Sequence, residues 1–138
     1  MKTKGPWSVT WLAVYVLTLV AVNFTQAAAA LQQWQFLSSR PLSISPLYLV
    51  SSGTLWGLAG TWLFFRIWTG RPGTPKIVIL SAFSYIAFCW IESGLLVSNL
   101  TSKINAPFNA AAAVIVIILI IWILSRPKAR NFFGVMND

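Results

Sequence analysis

APFNAAAAVIVIILIIWILS, residues 106–125, runs for twenty positions without a charged side chain. At 1.5 Å of rise per residue, such a helix covers ~30 Å, the thickness of a bilayer's hydrocarbon core. Working outward from it, three more apolar blocks of similar length appear, at about 75–98, 46–69 and 7–30. Backbone groups placed in lipid must be satisfied internally, so each block is a helix or part of a closed barrel. The alternating ten-residue pattern of barrel strands is absent, which leaves helices.

Composition agrees. Of 138 residues, 57% are hydrophobic and 9% charged, with two acids, no histidine and a mean hydropathy of +0.74. A soluble domain carries about 25% charged residues. The deficit disappears when lipid replaces water around most of the surface. The fold expected is therefore all-α and membrane-embedded: a four-transmembrane-helix antiparallel bundle, one transmembrane domain over residues 1–138, with N and C termini cytoplasmic.

The block boundaries carry local signals. Gly5-Pro6, Ser45-Pro46 and Thr74-Pro75 each read as an N-cap followed by a first-turn proline, where a missing N–H costs nothing. Asn105-Ala106-Pro107 reads the same way one residue later. Gly70-Arg71-Pro72-Gly73 and Ser125-Arg126-Pro127 terminate helices. The first of these predicts a tight turn that makes spans two and three a hairpin. Between the first two spans, residues 31–39 are semi-polar and either prolong the first helix or lie along the interface.

Charge sets the orientation. The formal net charge is +8. Eight of the ten basic residues, Lys2, Lys4, Arg66, Arg71, Lys76, Arg126, Lys128 and Arg130, fall on one side of this topology. Only Arg40 and Lys103 fall on the other. The positive-inside rule places the eight in the cytoplasm, with Arg66 able to snorkel to that side. Short basic clusters between apolar blocks imply anionic headgroups rather than nucleic acid, which needs a continuous basic face. Ala27 to Ala30 resembles a cleavage site, yet the first block exceeds a signal peptide's apolar core, so an uncleaved span is expected. Trp7, Trp11, Trp62, Trp68 and Trp122 fall near the cytoplasmic boundary and Trp34 and Tyr48 near the outer one, as an aromatic belt requires. Trp56 and Trp90 lie deeper and read as packing residues.

No catalytic constellation is visible. Without histidine there is no triad of the usual kind and no zinc peptidase motif. With one cysteine, Cys89, there is no internal disulfide or cysteine-based metal site. No phosphate loop or dinucleotide fingerprint occurs. The chain is expected to be no enzyme and to hold no cofactor or metal. Asn99-Leu100-Thr101 matches a glycosylation sequon that reads as idle this close to the membrane. The tail from Arg126 to Phe133 reads as a stop-transfer segment in contact with headgroups.

Glu92 is the residue that needs an explanation, because acids within spans are costly and mark sites by default. It lies ~25 Å along a helix that starts at Pro75, in the outer third of the membrane. Asn23 reaches the same level at ~24 Å from Trp7, with Gln26 one turn on. Ser51, Ser52 and Thr54 enter that layer at ~8–12 Å from the outer end of span two, and Asn109 at ~5 Å from that of span four. A polar pocket formed by Glu92, Asn23, Gln26, Ser52 and Asn109 is one reading. The other is that Glu92 pairs with Lys103 or Arg40 and only fixes helix packing. Gly53, Gly57 and Gly60 form a small-residue helix-packing motif, for dimerisation or for packing against Ala110 to Ala113.

The stretches PLSISPLYLVSSGTLWGLAGTWLFFRIWTGRPGTPK, YIAFCWIESGL and ILSRPKARNFFG resemble small four-span bacterial membrane proteins that carry no assigned activity. The resemblance implies four helices and a bacterial inner membrane, and supplies no catalytic residue. Vitamin K epoxide reductase-like proteins need cysteine pairs that are missing here. Small multidrug-resistance exporters place their glutamate in the first span. The function expected is a non-enzymatic accessory or scaffold subunit beside a larger membrane-protein partner or in a homo-oligomer. The alternative is a small oligomeric transporter or lipid-like-ligand binder using the pocket around Glu92.

Overall fold

The computed structural model describes residues 5–39, 45–95 and 100–134. Every regular element among them is an α-helix: α1 (Trp7–Gln32), α2 (Trp34–Ser38), α3 (Pro46–Trp68), α4 (Thr74–Leu95), α5 (Leu100–Ser125) and α6 (Pro127–Phe132). Three helical stretches among the described residues are long and apolar enough to cross a membrane: α1, Thr74–Gly94 of α4 and Asn105–Ser125 of α5. At 23 residues, α3 has the length, ~34 Å. Its apolar content is diluted by Ser51, Ser52, Thr54, Thr61, Arg66 and three glycines.

Helix ends follow local chemistry, displaced in places from the sequence expectation. Pro6 precedes α1 and its carbonyl accepts from the Val9 and Thr10 N–H groups at 2.8 and 3.2 Å, so Pro6 holds the capping position expected for Gly5. Pro46 occupies the first turn of α3 after an extended Ser45, whose hydroxyl makes no capping bond. Thr74 is already helical, and the Gly73 carbonyl accepts from Ile77 at 3.4 Å. Helix α5 begins at Leu100 and carries Pro107 inside it, so this proline does not mark the start. A span tolerates the missing N–H where neighbouring groups re-satisfy the freed carbonyl. Residues 31–39 divide: α1 runs to Gln32, and α2 follows with no buried residue.

The chain forms two compact units. The first, Trp11–Thr69, contains most of α1 with α2 and α3, and α2 packs on α3. On α1 the buried positions are Leu12, Ala13, Val16, Val20, Asn23, Ala27 and Ala30, at helical spacing. Facing outward are Trp11, Val14, Leu17 and Val22; on α3, Leu55, Leu58, Trp62 and Phe65 are likewise exposed. Small residues such as Ala13, Ala27, Gly53 and Gly57 share the inside with Leu12, Val16, Leu63 and Ile67, while large apolar residues also cover the outside. Lipid suits such a surface: it solvates leucine as well as a protein core does, and helices then gain most from close approach.

The second unit comprises Met1–Thr10 and Gly70–Asp138. Here α4 packs on α5, and α5 on α6. The turn before α4 is tight. Gly70 and Gly73 adopt φ of +61° and +79°, values that L side chains rarely reach. Fully buried Thr74 donates its hydroxyl to the Arg71 carbonyl at 2.6 Å. After α5, Arg126 is extended and Pro127 opens α6. The tail read as a stop-transfer segment is in fact seated: Ala129 and Phe133 have no exposed surface. The Phe132 ring lies against both Gly5 and Gly70, where an added Cβ would meet it at 3.3 and 2.9 Å.

Lys2, Lys4, Arg40, Ser98 and Asn99 lie outside the described residues, as do the side chains of Thr101 and Lys103. The sequon and the Glu92 partners Arg40 and Lys103 therefore fall there.

Candidate functional site

The first unit contains a glycine seam. A Cβ at Gly53 would sit 2.8 Å from the Asn23 carbonyl oxygen and 3.1 Å from Ala27 Cβ. At Gly57 it would meet the Phe24 ring at 2.8 Å, and at Gly60 it would meet Val20 Cγ2 at 2.6 Å. The nearest atoms to all three glycines thus belong to α1, at Val20, Asn23, Phe24 and Ala27. The packing partner is α1 rather than the Ala110–Ala113 run. Asn23 explains the choice: its main-chain carbonyl approaches Gly53, where only hydrogen fits, a geometry suited to a Cα–H···O contact.

Polar side chains along the helices turn back onto their own backbones. Asn23 is buried and donates Nδ2–H to the Leu19 carbonyl at 2.8 Å. Thr18, Thr25 and Thr61 donate to the carbonyls of Val14, Ala21 and Gly57 at 3.0, 2.8 and 2.8 Å. Ser51 and Ser52 reach Tyr48 and Leu49 at 3.1 and 3.4 Å. Hydroxyl protons used this way are not directed at a ligand. In lipid the same bonds remove the cost of an unsatisfied donor.

In the second unit, Glu92 lies on the packed side of α4. Thr74 and Val78 are buried, and Ser81, Tyr85, Cys89 and Glu92 continue the same stripe as half-buried positions. Tyr85 and Cys89 share a side-chain hydrogen bond. The carboxylate therefore faces neither pure lipid nor a closed core. Trp90, expected to pack, is 49% exposed on the outward side; Trp56 is half-buried.

The residues assigned to a pocket from the sequence fall in both units. Asn23, Gln26 and Ser52 belong to the first unit, Glu92 and Asn109 to the second. Gln26 and Asn109 are exposed. Asn23 and Ser52 bond to their own helices. Among the described residues no group of three or more His, Cys, Asp or Glu converges.

Burial within α4 and α5 is one-sided along their length. The buried residues are Thr74 and Val78 at the start of α4, and Ile120 and Leu124 at the end of α5. All four lie at the end where Ala129 and Phe133 seat α6. Toward Glu92 on α4 and Phe108 on α5, no described residue is buried, and Phe108 is 75% exposed.

Two guanidinium groups are held by the tryptophan four residues before them. The Arg66 guanidinium stands 5.1 Å from the Trp62 ring centre, and that of Arg126 stands 3.8 Å from the Trp122 ring centre. Both pairs suit a membrane boundary, where a ring and a cation share half-wet surroundings. The seat for Phe132 was not read from the sequence. Its signals were present as Gly70 in a turn and two adjacent aromatics in the tail, but nothing local connects them. No family model matches the chain, and comparison with curated proteins and with solved structures finds no match either.

Proposed function

We propose that the chain is a four-span protein of a bacterial inner membrane, with both termini cytoplasmic, and that it serves as a non-enzymatic accessory or scaffold subunit. The topology is supported by a connectivity argument. Gly5, Gly70 and Gly134 flank the spans, and Gly5 and Gly70 both touch the Phe132 ring. A chain that leaves that end through α1 and is back at Gly70 has to recross between residues 33 and 69. Only α3 is long enough to do so. Its polar content is accommodated because the glycines face α1 and the hydroxyls bond to their own backbone. The same logic pairs α4 with α5, since the chain is back at the Phe132 end once α5 is complete. The exposed basic residues at this end, Arg71, Lys76, Arg126, Lys128 and Arg130, favour the cytoplasm.

The observation that carries the role is the uneven burial of α4 and α5. Among the described residues their outer halves contribute no buried one, yet they hold a half-buried acid, Glu92, and exposed small residues, Ala111 and Ala112. Small residues suit close approach by another helix. A partner helix, from a larger membrane protein or a second copy, would cover this surface and shield Glu92. The test is purification in mild detergent from the native membrane, with mass analysis of the intact complex. The proposal expects a stoichiometric partner chain that is lost from the A111F/A112F variant while insertion is unchanged. A lone monomer would refute it.

The transporter or lipid-like-ligand reading rests on the half-buried carboxylate alone. Glu92→Gln separates the two. Loss of a transport or binding activity with assembly unchanged would favour the second reading.

A further inference from the structure

Among the described residues, the exposed basic side chains gather at the end of the second unit where α6 is seated. Arg71, Lys76, Arg126, Lys128 and Arg130 are all exposed there. The chain has only two acids. Glu92 lies eighteen residues beyond Thr74 on α4, ~27 Å away along the helix axis, and Asp138 is outside the described residues. Among the described residues, then, no carboxylate stands at this end. These cations come from separate segments: the 70–74 turn, the start of α4, and the α5–α6 junction.

Packing joins them. The Phe132 ring occupies the hydrogen-only face of Gly70, and its main-chain oxygen would lie 3.1 Å from a Cβ there. Arg71 follows directly in the chain after Gly70, the glycine against which α6 seats its Phe132. Phe132 and Phe133 also hold each other edge to face, with ring centres 5.2 Å apart. With Ala129 and Phe133 buried, α6 turns Lys128, Arg130 and Asn131 outward. Arg126, stacked on Trp122, marks the level of the boundary.

We propose that α6 is an interfacial clamp whose seating assembles these cations into one surface for the phosphate groups of anionic phospholipids. Charge complementarity selects the occupant: the surface is cationic throughout and joins directly to the lipid-facing sides of α4 and α5. The clamp rests on the membrane reading proposed above and is independent of any partner for Glu92. Its consequence is selectivity. Anionic lipids are retained in preference to zwitterionic ones, by roughly fivefold for each basic residue near the surface.

Native mass spectrometry of the full chain, released from bilayers containing equal phosphatidylglycerol and phosphatidylcholine, tests this. The wild type should retain phosphatidylglycerol selectively. R126Q/K128Q/R130Q should reduce that selectivity on the order of a hundredfold, and R71Q/K76Q should reduce it less. Phe132→Ala keeps every charge but unseats α6, so it should lower selectivity as well. Equal retention of both lipids by the wild type would overturn the clamp and leave an acidic segment of a protein as the complement. Undiminished selectivity in Phe132→Ala would overturn the role of seating, because scattered charge would then suffice. A chain that fails to enter bilayers at all would instead overturn the membrane reading on which the clamp rests.

Discussion

The α1/α3 seam and the outer halves of α4 and α5 are built from similar residues, small ones interleaved with large apolar ones, yet they are packed differently. In the seam, glycine hydrogens meet a main-chain carbonyl and three side chains of α1. On the outer halves of α4 and α5, no described residue is buried, and Gly94 has no atom within 4 Å of where its Cβ would be. Composition alone does not distinguish these regions. What distinguishes them is whether a second helix lies against the small residues, and that depends on pairings distant in sequence.

The contrast is sharpest for one substitution made in both places. Gly53→Ala should be the most damaging, because the new methyl meets the Asn23 carbonyl oxygen at 2.8 Å and a backbone atom inside a helix cannot move aside alone. The expected cost is about 3 kcal/mol, the upper range for overpacking, read as a lowered unfolding midpoint in detergent. An unchanged midpoint would mean that the seam does not form.

Gly60→Ala and Gly57→Ala should cost less, in that order. Val20 is β-branched and has few alternatives at χ1 within a helix, so its Cγ2 at 2.6 Å yields with difficulty. The Phe24 ring at 2.8 Å belongs to a residue that is 38% exposed and can swing outward. Costs of about 2 and about 1 kcal/mol follow. A reversed order would show that the helices cross at a different register.

Gly94→Ala should have the opposite sign. With open space around the position and a helical backbone, the methyl meets nothing and the helix gains alanine's propensity, about 1 kcal/mol of stabilisation. A loss of stability at this site would show that the outer part of α4 is covered within the single chain.

Much of this was legible in the sequence. The four apolar blocks coincide closely with the helices α1, α3, α4 and α5, of which α1, α4 and α5 contain stretches long and apolar enough to cross a membrane. Gly70 and Gly73 announced a turn that their positive φ values realise. The glycines of α3 announced close packing but not its partner, since small residues accept any helix. The polar layer could be read only by depth, for a related reason. Depth along a helix can be counted from sequence, but the side toward which Gln26 or Asn109 points depends on which stripe is buried. Nor does depth reveal that Asn23 and Ser52 direct their donors at their own backbones. Pro107 misled because a proline that usually starts a helix also fits inside one when other groups take over the freed carbonyl. The seating of Phe132 between Gly5 and Gly70 joins residues at both ends and the middle of the chain, and no local pattern encodes it.

The smallest expected effect is the one that bears most directly on function. Ala111 and Ala112 are exposed on α5, so phenylalanine there adds apolar surface to a face already bearing Phe108, Val114 and Ile115. For the isolated chain in detergent the change should stay within about 0.5 kcal/mol, as for surface positions generally. A large loss would place these alanines in an internal contact and remove the open face from consideration. If stability holds and a co-purifying chain is displaced, the two small-residue regions divide the work between them: one holds the protein together, and the other receives a partner. If stability holds and nothing is displaced, the outer halves of α4 and α5 face lipid alone, and Glu92 must be explained from within the chain.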